Sequence, residues 1–445
     1  MDSIAYGDHD VIVGHGPVGE RCDEKETWIA VDVNLVLTLF AGALLVFAAF
    51  STVLQRASLP GPLLCLVFGL LVGPHALGLL DPHALGVSTS GLLEQVARIT
   101  LAVGLAGVAL RLPHGYWRAN VRWLVLIIGA GMAMMLLVAT AALWWGLGVS
   151  FLLALLLGAV VTPTDPVVTT PIVTGSLAVE KVPERVRHNL SAESGINDGL
   201  AYLFVMLPVL LMTTPGRAWH DLLTRVLLVE VLGAVALGVV AGYLLGRVFV
   251  LVQQRGWMEE SSYLAFIVPL SLLLLGAGKL IGTDGLLVVF IGVAVFGQVI
   301  PQREEAEEDK IHDAIARLFL LPVFLLLGTA LPVDEWGALG WVAPVVIAGV
   351  IIVRRLATVW SLRPLLRDVH DRSETAFLSW FAPVGVSALF YATLAERHTG
   401  NREIFVYASL AITASVLVHG LTAAPFSGWL HRRTSQPAAH GRPAR

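Results

Sequence analysis

The chain is poor in charge. Of its 445 residues only 14% are Asp, Glu, Lys or Arg, while 56% are hydrophobic and the mean hydropathy is +0.78. Soluble domains carry about a quarter charged residues, so a water-soluble globule is excluded. Cysteine is scarce as well. Cys22 falls in a polar tail and Cys65 in an apolar run, which leaves neither a disulfide framework nor a cysteine metal cluster. Aromatic residues are only 8% of the chain. A net charge of −4 and a pI near 6.3 lack the basic footprint that nucleic acid requires. No GxGxxG follows a strand, so no nucleotide-sensing module is read. The short alternating segments of a transmembrane barrel are missing too, and the apolar runs are long. What is present, with 43 Gly and 22 Pro, is the composition of an all-α polytopic membrane protein whose helices pack closely and sometimes break.

A span needs roughly 20 apolar residues. With Pro, Gly and charge clusters as punctuation, about thirteen spans are read, near 33–55, 59–78, 93–110, 123–146, 151–175, 189–213, 226–246, 262–278, 285–301, 318–332, 339–360, 376–395 and 403–426. An odd count puts the termini on opposite sides. With the N-terminus outside, roughly 19 Lys and Arg fall in cytoplasmic loops and roughly 7 in external ones, which orients the chain. Tryptophans such as Trp28, Trp144, Trp145, Trp257, Trp336 and Trp360 sit near span ends, as in an interfacial belt; Trp380 does not fit that pattern. Residues 1–32 form an acidic external tail without the basic start of a secretory signal, and disorder is expected there. The polar segment 303–310 reads as a solvated surface helix, 33–430 as the membrane domain, and 431–445 as a short cytoplasmic tail. The expected location is a cell membrane, specifically a bacterial inner membrane.

Ionisable groups inside a span are costly, so each one points to function. The fifth span holds Thr162-Pro163-Thr164-Asp165-Pro166. Two prolines three residues apart free the carbonyls of Ala159 and Thr162, and the helix must open. At mid-membrane such a break requires burial in protein or a watery cavity. Asp165 lies roughly 15 Å from the cytoplasmic end, and Asp198, in a helix of opposite direction, roughly 14 Å. The two aspartates therefore share one level. Ser194 and Asp198 fall on one helical stripe, Glu193 and Asn197 on the next, while Gly195 and Gly199 offer a small face for the close approach of another backbone. A helix-break cap is the bland alternative for Asp165; Asp198 has no cap to make. Glu193, about 6 Å from the inner end, and Arg354 and Arg355, about 8 to 9 Å from theirs, call for ion pairing. Glu94 and Arg98 read as a local i,i+4 pair, Glu230 as interfacial, and His419 as a packed histidine. A second break is read at Ala382-Pro383-Val384-Gly385. The two broken spans cross in opposite directions, the relation of inverted repeats that match spans four to six with eleven to thirteen.

TPTDPV (162–167), ESGINDG (193–199), LPVFLLLGTALP (321–332) and the arginine of the eleventh span together resemble the cation:proton antiporter superfamily, in its sodium/proton exchanger branch. The resemblance implies a homodimer of thirteen-helix protomers with two crossed broken helices (spans 5 and 12). Core helices would come from about 93–213 and 318–426, dimerisation helices from about 33–78 and 226–301. Carried over by position, Asp198 alternately holds Na⁺ or a proton, Asn197 is its neutral neighbour, Thr164 and Ser194 lend oxygen, and Asp165 balances the half-helix dipoles. Glu193 pairs with Arg355 or Arg354. An Asn-Asp pair is associated there with electroneutral exchange. Many relatives carry an Arg where this chain has Val384. The implied protein is a transporter, not an enzyme, with no cofactor and with Na⁺, or K⁺ or Li⁺, and H⁺ as substrates. A K⁺/H⁺ exchanger stands as the near alternative. A cation channel would need a continuous pore and a selectivity motif, and an intramembrane aspartyl protease a GxGD context; neither motif is evident.

Overall fold

A computed structural model describes residues 33–56, 59–82, 88–165, 173, 175–258, 262–301, 318–366 and 371–434. The tail 1–32, the connection 303–310, Pro166 and residues 435–445 lie outside the described residues. Every regular element among the described residues is helical. In chain order these are α1 (Val33–Arg56), α2 (Gly61–Val72), α3 (Thr89–Leu110), α4 (Tyr116–Ala119), α5 (Val121–Leu147), α6 (Phe151–Val161), α7 (Gly175–Lys181), α8 (Glu184–Thr213) and α9 (Ala218–Gln254). There follow α10 (Ser262–Ile281), α11 (Gly285–Val299), α12 (Leu318–Thr329), α13 (Val333–Ala338), α14 (Val342–Leu362), α15 (Arg372–Trp380), α16 (Val386–Thr399) and α17 (Glu403–Thr434).

Six of these, α3, α5, α8, α9, α14 and α17, are long and apolar enough to cross a membrane unaided. Shorter apolar segments lie in α1, α2, α6, α10, α11 and α12. Large apolar side chains stand bare along the outer helices, among them Leu45 and Val53 on α1 and Val240, Leu244 and Val248 on α9. Water would penalise such a surface and lipid does not, so the chain is a multi-pass membrane protein. At the end of α5, Trp144 stacks on Trp145 and meets Phe151 edge-on.

Two packing blocks hold the centre. Helix α11 lies against α9, α10 and α3, while α3, α8 and α16 pack on one another. The second block joins α5, α6 and α14, with α17 bridging to α16. Lipid is as apolar as leucine, so close fit rather than water exclusion must hold these helices together. Between α9 and α11 the fit depends on glycine: a Cβ on Gly242 would run into the backbone of Gly292. The Gly195–Gly199 face of α8 is filled differently from expectation. The Phe290 ring of α11 fills the space at Gly195, and at Gly199 the Leu287 side chain comes nearest, with the Leu287 backbone just behind it.

Other expectations change as well. Helix α2 ends at Val72 rather than near 78, and its last turn closes with the Gly73 amide donating to the Gly69 carbonyl. Both α5 and α9 contain π-helical stretches, Val125–Gly131 and Leu222–Leu232. The i→i+5 pitch of the second aligns Arg225 with Glu230, which form an ion pair at 3.1 Å. Glu94 does not pair with Arg98. Its buried carboxylate receives both arms of Arg397 from α16, at 2.8 and 3.0 Å, because a planar guanidinium can serve both oxygens at once.

Candidate functional site

Helix α6 stops where its sequence requires. Pro163 brings no amide hydrogen, so the last turn tightens: the Thr162 amide donates to the Ala159 carbonyl at 3.3 Å and the Thr162 hydroxyl to the Gly158 carbonyl at 2.7 Å. Ala159 therefore keeps a partner within its own turn, contrary to the expectation for an open break. The Thr162 carbonyl is met from outside, by Arg354 of α14 at 2.9 Å. Beyond it Pro163, Thr164 and Asp165 run in non-helical conformation.

The second interruption lies between α15 and α16, over Phe381–Gly385. The backbone groups within it and in the helix ends that flank it are met by five different neighbours. The Asp165 amide donates to the Pro383 carbonyl at 2.9 Å, and the Val386 amide donates to the Asp165 carboxylate. Arg354 donates to the Ala382 carbonyl at 2.7 Å, and Arg355 to the Leu378 carbonyl at 3.1 Å. From α17, the Ser415 hydroxyl accepts the Val384 amide at 2.7 Å, and His419 Nε2 lies 3.1 Å from the Trp380 carbonyl. An imidazole with its proton on Nε2 would donate there and accept the Ser415 hydroxyl at Nδ1, 3.1 Å away. The Trp380 indole, which suits no membrane interface, donates to Thr422 at 2.9 Å and stacks on Phe426. The two breaks thus touch, and the bonds made by Asp165, Arg354, Arg355 and Ser415 are buried in protein rather than open to lipid.

Helix α8 runs past this junction. Asn197 uses both ends of its amide on one residue: its Nδ2 donates to the Thr164 hydroxyl at 2.7 Å and its Oδ1 accepts the Thr164 amide at 3.2 Å. The Thr164 hydroxyl also lies 3.1 Å from that of Ser194. One turn on is Asp198, wholly buried, and neither carboxylate oxygen has a hydrogen-bond partner among the described residues. The Ser387 hydroxyl lies beside it but outside hydrogen-bond geometry. The Asp198 backbone carbonyl accepts the Tyr391 hydroxyl. Nearby, Glu193 and Arg355 are both about 1% exposed and form a two-armed ion pair, one arm at 2.7 Å.

The structure therefore brings Thr164, Asp165, Asn197, Ser194, Pro163, Pro383, Val384 and Gly385 together with Asp198. It separates the two arginines, Arg355 going to Glu193 and Arg354 to the backbone of the breaks. Ser387, Tyr391 and Ser415 carry no warning in the sequence, where each is one polar group in an apolar helix. A cavity of about 580 Å³ opens at the end of the bundle where α8 finishes and α9 and α11 begin. Tyr202, Glu230, Asp284 and the Glu94–Arg397 pair line it.

The family described as sodium/hydrogen exchanger, transmembrane, matches residues 42–429. A Na⁺/H⁺ antiporter of Schizosaccharomyces pombe is 32% identical over 88% of this chain and 89% of its own length. A K⁺/H⁺ antiporter, NhaP, of Alkalimonas amylolytica is 25% identical over 89% of this chain and 67% of its own. Three other yeast relatives are longer, and the chain spans 34% to 50% of their length. In fold, the chain is similar to the sodium proton antiporter MjNhaP1 of Methanocaldococcus jannaschii at a TM-score of 0.69 and 19% identity, over 89% of this chain and 98% of that one. Yeast relatives at this identity speak against restricting the membrane to a bacterial one.

Proposed function

Because the chain belongs to the sodium/hydrogen exchanger family, we propose that it is a secondary active antiporter that exchanges a monovalent cation, Na⁺ first, for H⁺. One observation carries the reading: the Asp198 carboxylate, buried at the junction of the two breaks, has no protein partner among the described residues. A carboxylate in that position is strongly disfavoured when charged and empty. It is relieved by a proton or by a cation, and the two compete. The hydroxyls of Thr164 and Ser194 lend oxygen to the cation, and Asp165 offsets the amide end of α16. Asn197 is neutral and already committed to Thr164, so a single titrating group changes occupant. One proton then moves for one cation, and exchange is electroneutral.

Access alternates as core helices, from about 93–213 and 318–426, move against dimerisation helices from about 33–78 and 226–301. The full arrangement is thirteen spans with inverted repeats, two crossed broken helices, an external N-terminus, a cytoplasmic C-terminus and a homodimer. The test is Asp198→Asn in proteoliposomes with a pH-sensitive dye. Cation-dependent proton movement should disappear from folded protein; its persistence would overturn the assignment. The K⁺/H⁺ antiporter among the relatives favours K⁺ as the second reading, and the same assay across Na⁺, Li⁺ and K⁺ separates the two. A channel would carry net current where the antiporter carries none.

A further inference from the structure

Arg354 and Arg355 are adjacent and both fully buried, yet they serve different groups. Successive residues of a helix point about 100° apart. Arg355 therefore reaches Glu193, while Arg354 reaches the two interruptions: one arm donates to the Thr162 carbonyl at 2.9 Å and the other to the Ala382 carbonyl at 2.7 Å. Thr162 caps the C-terminal end of α6, and Ala382 lies two residues past the end of α15. Both are ends where carbonyls go unserved and the helix dipole is negative, so a cation is favoured there. The opposite sign is supplied where it is needed, by Asp165 at the amide of Val386. The second interruption has no positive charge of its own, since Val384 is apolar and wholly buried. The charge is brought in from α14.

We propose that Arg354 is a positioning residue for the ion site, a clasp that holds the carbonyl ends of both interrupted segments at a fixed separation. It touches no ion. It sets where Thr164 and Asp165, on one segment, stand relative to Ser387, on the other, and through them the surroundings of Asp198. The fork explains the residue type: two carbonyls in different segments need two arms at a set angle, which a single ammonium does not provide.

The inference rests on the antiporter reading, and its test is built to fail separately. Cation KM and maximal rate, per folded protein, are measured in proteoliposomes for the native chain, Arg354→Lys and Arg354→Gln, with Asp198→Asn alongside. Arg354→Gln should raise the cation KM by about tenfold or more, since a loosened site loses its preset geometry. Arg354→Lys keeps the charge and should show a smaller rise. A cap that only stabilises the fold would lower yield and leave KM unchanged. Native KM in Arg354→Gln therefore overturns the proposal, and where that variant does not accumulate, native KM in Arg354→Lys does so. Exchange surviving in Asp198→Asn overturns the antiporter site itself, a result the Arg354 variants cannot mimic.

Discussion

Replacing Glu193 with Ala should destabilise the protein far more than it alters cation selectivity. Glu193 and Arg355 are each about 1% exposed, and both arms of the guanidinium fork lie on the carboxylate. Removing one member leaves the other buried and unneutralised, at a cost of about 3–5 kcal/mol. Part of that cost is relieved because the Arg355 Nε still has the Leu378 carbonyl, so the lower end of the range applies. The measurement is thermal unfolding of purified protein in detergent, where a loss of this size lowers the midpoint of a chain this long by about 3 °C. A second variant isolates the pair: Glu193→Ala combined with Arg355→Met removes both charges and should be more stable than Glu193→Ala alone, because no orphaned charge remains. Equal stability of the native protein and Glu193→Ala would refute the argument. So would a double variant that loses the sum of the two single losses, for then the charges do not interact.

Two further outcomes follow from groups away from the ion pair. Burial raises the Asp284 carboxyl from 3.8 to about 6; it caps α11 at the mouth of the cavity, accepting the Leu287 amide at 2.9 Å. The folded protein therefore holds this proton to higher pH than the unfolded chain. The associated stability is present at low pH and is lost as pH rises from about 4 through 6, by up to about 3 kcal/mol. Asp284→Asn, which keeps the cap, should flatten that part of a thermal-stability profile taken between pH 4.5 and 7.5; an unchanged profile would exclude Asp284 as its source. Ser415→Ala leaves the buried Val384 amide without its acceptor, a loss of about 1–3 kcal/mol. It should appear as faster hydrogen exchange at Val384, and native protection there would count against the role of α17.

Much of this arrangement could be read from the residues because membrane physics is severe. A carboxylate or a proline pair in an apolar run has few tolerable explanations, which is why Asp165, Asp198 and the two interruptions stand out without a structure. Partners were harder. Glu94 has an Arg one turn away at Arg98, and helical spacing favours it, but the bidentate partner is Arg397, 303 positions along the chain. No local pattern encodes that choice. The division between Arg354 and Arg355 was equally hidden, since a one-residue change of register exchanges their faces. The π stretches of α5 and α9 have no signature in composition, and the one in α9 decides that Arg225 meets Glu230. Small hydroxyls were invisible for a different reason: Ser387 and Ser415 are common residues in apolar helices, and their weight comes only from what faces them, Asp198 for the first and the Val384 amide for the second.

The contrast among the buried charges is where structure meets mechanism. Glu193 and Arg355 neutralise each other, Arg354 is spent on two carbonyls, and Asp165 receives the amide of Val386. A charge held in this way is fixed, because any incoming ion must first displace a partner in a medium that punishes the vacancy. Asp198 is the one carboxylate at this junction left without such a partner among the described residues. Its neighbours Asn197, Thr164 and Ser194 are neutral and tied mainly to one another. On the proposed reading, an ion arriving at Asp198 would compete with a proton and with no protein cation. That is the condition exchange requires, since a fixed ammonium or guanidinium beside Asp198 would satisfy it permanently and remove the reason to bind either substrate. Placing Arg at Ser387, the hydroxyl beside the carboxylate, should accordingly abolish exchange.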